Sequence, residues 1–178
     1  GIVVTPSAGA VGIGGAGTIH AGELIQTNDV YVFRTLAIHH YGEQPLTIGA
    51  QLGTNMDSAS VCKVGPGELI LTNDLNRFRH LQLLGGTVTL STLRNDGISQ
   101  PGGSRNIIIG DGTLKYVGAG DTCNRVIGLR GNAVIDASGS GPLQLTERGG
   151  LPRIYLPTVY DGDDFPLTLT GTGTGSLA

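Results

Sequence analysis

Residues 67–90 read GELILTNDLNRFRHLQLLGGTVTL. Within this stretch Leu81 and Leu83 flank Gln82, so in an extended chain the two leucines share one face and the glutamine takes the other. A glycine-bearing corner, Leu84-Gly85-Gly86, follows, and an apolar residue returns at Val88. The same order recurs twice. Arg79-His-Leu81-Gln-Leu83, Arg105-Asn-Ile107-Ile-Ile109 and Arg125-Val-Ile127-Gly-Leu129 align without gaps, each followed by a Gly- or Asn-bearing corner. The apolar residue that returns nine positions after each arginine is Val88, Leu114 or Val134. Glycine and asparagine tolerate positive φ, which lets a chain turn sharply between two short strands.

The first half of the stretch is itself repeated. GELIQTNDVYVFR (Gly22–Arg34) precedes GELILTNDLNRFR (Gly67–Arg79), and a weaker third copy, GPLQLTERGGLPR, runs from Gly141 to Arg153. Gly22, Gly67 and Gly141 are expected to turn the chain, and Leu24, Leu69 and Leu143 to enter the core. The arginines Arg34, Arg79, Arg105, Arg125 and Arg153 are expected to open the following strands.

Composition agrees with many short strands. The chain has 178 residues, 31 of them glycine, with 4% aromatics and no tryptophan, and Thr, Val, Ile and Leu fill the runs between glycines. Glycine costs about 1 kcal/mol per interior helical position relative to alanine, and β-branched side chains lose rotamer freedom in helices. The net charge of -3 comes from 11 basic and 14 acidic residues scattered along the chain, so no block of charge offers nucleic acid or an anionic membrane a footprint. No apolar run approaches the roughly 20 residues needed to span a bilayer. The sequence begins without Met on an apolar strand, and the expectation is of a processed or excised piece.

Two all-β architectures are compatible with this pattern: a sandwich of antiparallel hairpins, or a parallel β-solenoid. The spacing favours the solenoid. Arg105 to Arg125 spans 20 residues, Arg79 to Arg105 spans 26, and Gly22 to Gly67 spans 45, or two coils. Residues 1–178 are therefore expected to form a single domain of about eight coils, and at about 4.8 Å per stacked strand the rod would be on the order of 40 Å long. Cys62 and Cys123 are then about three coils apart, roughly 14 Å along the axis, beyond the separation of about 7 Å that a disulfide can bridge. They are expected to be isolated thiols.

Lys63-Val-Gly65-Pro-Gly67-Glu-Leu69-Ile-Leu71-Thr72-Asn73, followed by Leu83-Leu-Gly85-Gly86-Thr87-Val88-Thr89-Leu90, resembles the autotransporter-associated β-strand repeat. Residues 110–146 are similar to the segments that separate such repeats. The sequence departs from that pattern in carrying Asp74–His80 where a glycine-rich bridge is usual, and Glu68 where Thr is usual. The resemblance implies a secreted or surface-exposed bacterial passenger folded as a right-handed parallel β-helix, without catalytic residues, cofactor or metal.

Candidate chemistry is sparse. His39 and His40, adjacent in a strand, point to opposite faces and cannot readily share a metal; with His20 and His80 they are expected at solvent-facing positions. Asp161-Gly-Asp163-Asp164 matches no calcium-loop pattern and reads as a solvated turn. Glu23 and Glu68, equivalent in the repeat, could sit roughly 10 Å apart as in a sugar-cleaving β-helix, but there is no tryptophan to form a sugar platform. The arginines are expected to form a corner ladder that pairs with Asp74, Asp121 or Asp136, or caps carbonyls. Thr87-Val-Thr89 and Thr168-Leu-Thr170 raise an ice-binding face, which needs a regular array. Neither end carries a polar capping helix, and bare terminal coils expose unpaired backbone. The expectation is a non-enzymatic extracellular or cell-surface stalk, fibre subunit or adhesive passenger. Its ends would stack on other copies or on further coils of the same chain, with a surface glycan or host-matrix molecule as a further ligand. The alternative is a carbohydrate-binding or carbohydrate-cleaving β-helix.

Overall fold

A computed structural model describes residues 1–21, 26–27, 30–31, 34–53, 59–95, 100–102, 106–146, 154–155 and 165–177. Among these residues the chain is all-β, with no helix. It begins with β1 (Ile2–Val4), β2 (Val11–Ile13), β3 (Thr18–Ile19), β4 (Gln26–Thr27) and β5 (Val30–Tyr31). It continues through β6 (Arg34–His40), β7 (Leu46–Ile48), β8 (Gln51–Leu52), β9 (Ala59–Val64) and β10 (Glu68–Leu71). Next come β11 (His80–Leu83), β12 (Gly86–Leu90), β13 (Asn106–Ile109), β14 (Gly112–Tyr116) and β15 (Ala119–Cys123). The remainder is β16 (Val126–Leu129), β17 (Ala133–Ala137), β18 (Gly141–Leu145), β19 (Ile154–Tyr155), β20 (Leu167–Thr170) and β21 (Gly175–Leu177).

Two sheets of seven strands dominate, in the orders β1-β6-β9-β11-β13-β16-β19 and β2-β7-β10-β12-β14-β17-β20. Every pairing within them is parallel. The antiparallel sandwich is therefore excluded. Along the chain the strands alternate between the two sheets, which is how parallel neighbours must be reached, since a tight hairpin joins only antiparallel strands. A three-stranded parallel sheet, β15-β18-β21, and the short pair β3-β8 lie after the corresponding strands of the second sheet.

The aligned arginine-led segments stack as the sequence lines them up. Leu81 pairs with Ile107 and Ile107 with Ile127; Leu83 pairs with Ile109 and Ile109 with Leu129. In each of β11, β13 and β16 the alternate residues are buried. The second sheet carries a matching column, Leu46, Leu69, Val88, Leu114, Ile135 and Leu169. The two columns face each other across one aliphatic core.

Four expectations are corrected. Ile135, not Val134, takes the inward place beside Leu114. The corner Arg130-Gly131-Asn132 is one residue longer than its counterparts, and it is pinned by Asn132, whose backbone N and Nδ2 both donate to Asp111 Oδ1 at 3.0 and 2.9 Å. The third copy, with Gly141 and Leu143, lies in β18 of the three-stranded sheet, not beside Gly67 and Leu69. The first copy contains an antiparallel pair, β4–β5, and not only parallel strands; its residues 22–25, equivalent to 67–70, lie outside the described residues. Finally, each large sheet holds seven strands among the described residues, against about eight coils expected, because the step between neighbouring strands reaches from Ile2 to Ile38.

Beyond the strands, side chains replace the backbone ladder. Asn76, fully buried, accepts from Leu52 N through Oδ1 and donates from Nδ2 to Gln100 O, both at 2.8 Å and each 24 residues away. Gln51 Nε2 donates to Leu75 O and Asn73 Nδ2 to Gly49 O over the same separation. With the backbone bond from Arg77 N to Leu52 O at 2.8 Å, these bonds tie three successive passes of the chain, of which only the first, at Gln51–Leu52, is a strand.

Candidate functional site

The sequence-derived positions fall into place unevenly. Gly22, Leu24, Arg105 and Arg153 lie outside the described residues, as do Glu23, Asp161, Asp163 and Asp164. Leu69 and Leu143 are buried in the core, as expected. Gly67 closes the bend of residues 65–67, in which Gly65 takes the positive φ, 85°. Gly67 is required by proximity, since a Cβ there would meet Gly42 O at 2.6 Å and the His40 ring at 2.7 Å. Gly141 is likewise pressed against Ala119, whose carbonyl oxygen leaves no room for a Cβ.

Arg34 opens β6 and pairs in register with Ala59, while Arg79 donates its backbone N to Ala59 O at 2.6 Å just before β11. Arg125, immediately before β16, is fully buried. Its Nε donates to Arg94 O at 2.8 Å, and its Nη2 to Asn95 O at 3.2 Å and Gly102 O at 2.8 Å. Carbonyl capping is thus what Arg125 does. The candidate acidic partners go elsewhere: Asp121 pairs with Arg94 at 3.4 Å, Asp74 accepts from Thr92 Oγ1 at 2.7 Å, and Asp136 accepts from Ser138. Glu68 accepts from Thr89 Oγ1 on the neighbouring strand.

Two titratable side chains, Lys63 and His40, are fully buried. Lys63 is fully buried in β9, in register between Ile38 and Leu83. Its Nζ donates to Gly65 O at 2.6 Å, Gly85 O at 3.1 Å and Val64 O at 3.3 Å, which fills the three donor positions of an ammonium. Burial pushes its pKa down to about 8. His40 is also fully buried, which corrects the solvent-facing expectation. Its Nδ1 accepts from Gly42 N at 3.2 Å and its Nε2 has no hydrogen-bond partner. Burial, then the charge of Lys63, lowers its pKa. His80 is half-buried, and burial and the neighbouring Arg79 lower its pKa as well. Phase alone could have found the first two: Lys63 alternates with Val61, and His40 with Leu36 and Ile38. Both cysteines are buried and neither is in a disulfide. Burial raises the pKa of Cys62.

A concave feature lies at the β20–β21 end. An open cavity of about 280 Å³ is lined by Ile135, Ala137, Leu143, Leu145 and Leu169, with Gly171 and Gly173 at its rim. It forms because one inward column thins out. Ile48, Leu71, Leu90 and Tyr116 fill their rungs, but Ala137 and then Gly171 leave space. Leu169, an inward member of the other column, is 56% exposed, and among the described residues no strand lies beyond it. The lining supplies the hydroxyls of Thr170 and Ser176 but no titratable group, so it can hold an aliphatic side chain and is not equipped for proton transfer or nucleophilic attack.

No family model, curated protein or solved structure matches this chain. Any functional reading therefore rests on the columns and on the open end. Among the described residues no grouping of three or more metal-ligating side chains occurs, and no helix is long and apolar enough to cross a membrane.

Proposed function

We propose that the chain is a structural segment of a right-handed parallel β-solenoid of seven coils, non-enzymatic and extracellular. It would serve as part of a surface stalk, fibre or adhesive passenger that self-associates through open end coils. The two large sheets are then two sides of each coil, and the short and three-stranded sheets, with the Asn76 bridges, supply the third. The right-handed sense follows the strong preference of parallel crossovers for that hand. Secretion and the cell surface follow from the resemblance of Lys63–Asn73 and Leu83–Leu90 to the autotransporter-associated repeat.

The observation that carries the reading is the in-register column of the second sheet, from Leu46 through Leu69, Val88, Leu114 and Ile135, which stops at an exposed Leu169. A column of this kind gains by every added rung, since each buried leucine contributes roughly 1.5–3 kcal/mol. The partners would be other copies stacked end to end, or further coils of the same polypeptide, with a glycan or matrix molecule bound on the flank. The test is to follow residues 1–178 by sedimentation and electron microscopy over a concentration series. Rods that lengthen with concentration are expected; a monomer of constant size would sink the self-association.

A further inference from the structure

The open cavity has a counterpart at the opposite end of the same molecule. There β1 and β2 are the first strands of their sheets, and their outer edges are unpaired among the described residues. Ile2, Val11, Ile13 and Ile19 are only half-buried there although they pack on the core. One end thus presents branched aliphatic side chains, and the other a hollow rimmed by glycine.

The registers determine how the two would meet. Val11 stands beside Leu46 and Ile13 beside Ile48. The column through Leu46 ends at Leu169, and the column through Ile48 runs on to Ala137 and past it to Gly171. Both sheets are parallel, so a second copy displaced along the stack without rotation of strand direction offers its β2 edge to β20 with the correct polarity.

We propose, building on the self-associating reading above, that the cavity is a socket for the β2 edge of a second copy of this chain. In that arrangement Val11 of the second copy covers Leu169, and Ile13 enters the hollow left by Ala137 and Gly171. The aliphatic lining favours the branched side chains of Val11 and Ile13 over a flat polar surface. The outward neighbours follow: Gly12 of the second copy lies beside Thr170, and Ala10 beside Thr168.

Cysteine pairs test the register. Directly paired parallel strands put Cα atoms about 4.8 Å apart, within the range of about 4.4–6.8 Å that a disulfide accepts. Nothing lies within 4 Å of a Cβ built on Gly12, and Thr170 is exposed, so neither Gly12→Cys nor Thr170→Cys disturbs the fold. Cys62 and Cys123 are buried. Under mild oxidation a mixture of Gly12→Cys and Thr170→Cys is expected to give a covalent dimer, with at least tenfold less from Gly12→Cys mixed with Thr168→Cys. Leu169→Lys, at an already exposed position, is expected to prevent association while leaving the circular dichroism unchanged. Association that persists without the preferred cross-link overturns the register and leaves the self-associating reading standing. Absence of association overturns both. Uptake of an apolar dye by a chain that stays monomeric overturns the second-copy occupant in favour of a small molecule.

Discussion

Lys63 and Leu83 are register partners on adjacent strands, so an ammonium occupies a rung of a column otherwise built from Ile38, Leu83, Ile109 and Leu129. The position is tolerated because the corner carbonyls of Val64, Gly65 and Gly85 converge on Nζ. A buried carbonyl without a donor costs about 1–3 kcal/mol, and an unpaired buried charge costs more.

Lys63→Met keeps the length of the side chain and removes every donor. It is expected to lower the free energy of unfolding by about 1–3 kcal/mol in urea titrations. The pH dependence has a definite sign. The folded state gives up the Lys63 proton near 8, while the unfolded chain keeps it to the ordinary 10.5, so between these values the unfolded state binds more protons and Lys63 adds stability as pH rises. Cys62 and Tyr116, both raised by burial, act in the opposite direction at alkaline pH. The contribution of Lys63 is therefore read as the difference between wild type and Lys63→Met, which should grow in favour of wild type from pH 8 to 10.5.

His40 predicts an acid limb. Its folded pKa lies below the ordinary 6.5 because burial and Lys63 disfavour the imidazolium. Below 6.5 the unfolded chain takes up a proton that the folded chain refuses, so stability falls as pH drops from 6.5 toward the lowered value. Half-buried His80 adds to the same limb. Thermal melts at pH 7 and pH 5 should show a smaller drop for His40→Gln than for wild type; an equal drop would assign the limb to other groups.

Two glycines should respond in opposite ways to alanine. Gly67→Ala brings a methyl to 2.6 Å from Gly42 O and 2.7 Å from the His40 ring, and is expected to cost about 1–3 kcal/mol through overpacking. Gly12→Ala meets nothing within 4 Å and should fall within about 0.5 kcal/mol of wild type. Equal effects in chemical denaturation would refute the close-packed corner.

Asn76→Ala removes an acceptor from Leu52 N and a donor from Gln100 O in one step. Both bonds are buried, so a loss of about 2–4 kcal/mol is expected. Hydrogen exchange at the Leu52 amide should accelerate more than at Leu81, which is held in the first sheet by its own strand neighbours.

The alternation around Leu81, Leu83, Ile107, Ile109, Ile127 and Leu129 was enough to read all-β structure and, for these three segments, the correct strand register. Inward and outward positions follow from a period of two, and a gapless alignment carries that phase from one strand to the next. The alignment failed where a corner changed length, as at Arg130–Asn132, because one inserted residue moves the following strand by one register position. It failed again for the thirteen-residue phrase, whose third copy lies in β18 of the three-stranded sheet and not in the sheet of β10, since strand identity depends on which neighbours are available to pair.

The sequence by itself determined the element type, the inward face of most strands and the stacking of the arginine-led segments, because these depend on local alternation. Only the tertiary structure decided that Arg125 is buried, and that Arg125 and Lys63 are satisfied by carbonyls from distant corners. Only the tertiary structure, too, placed Ala137 and Gly171 where a column runs out of volume and leaves an open cavity beside Leu169. These features depend on which residues from separate passes meet at one level of the stack, and that is set by the lengths of the intervening corners.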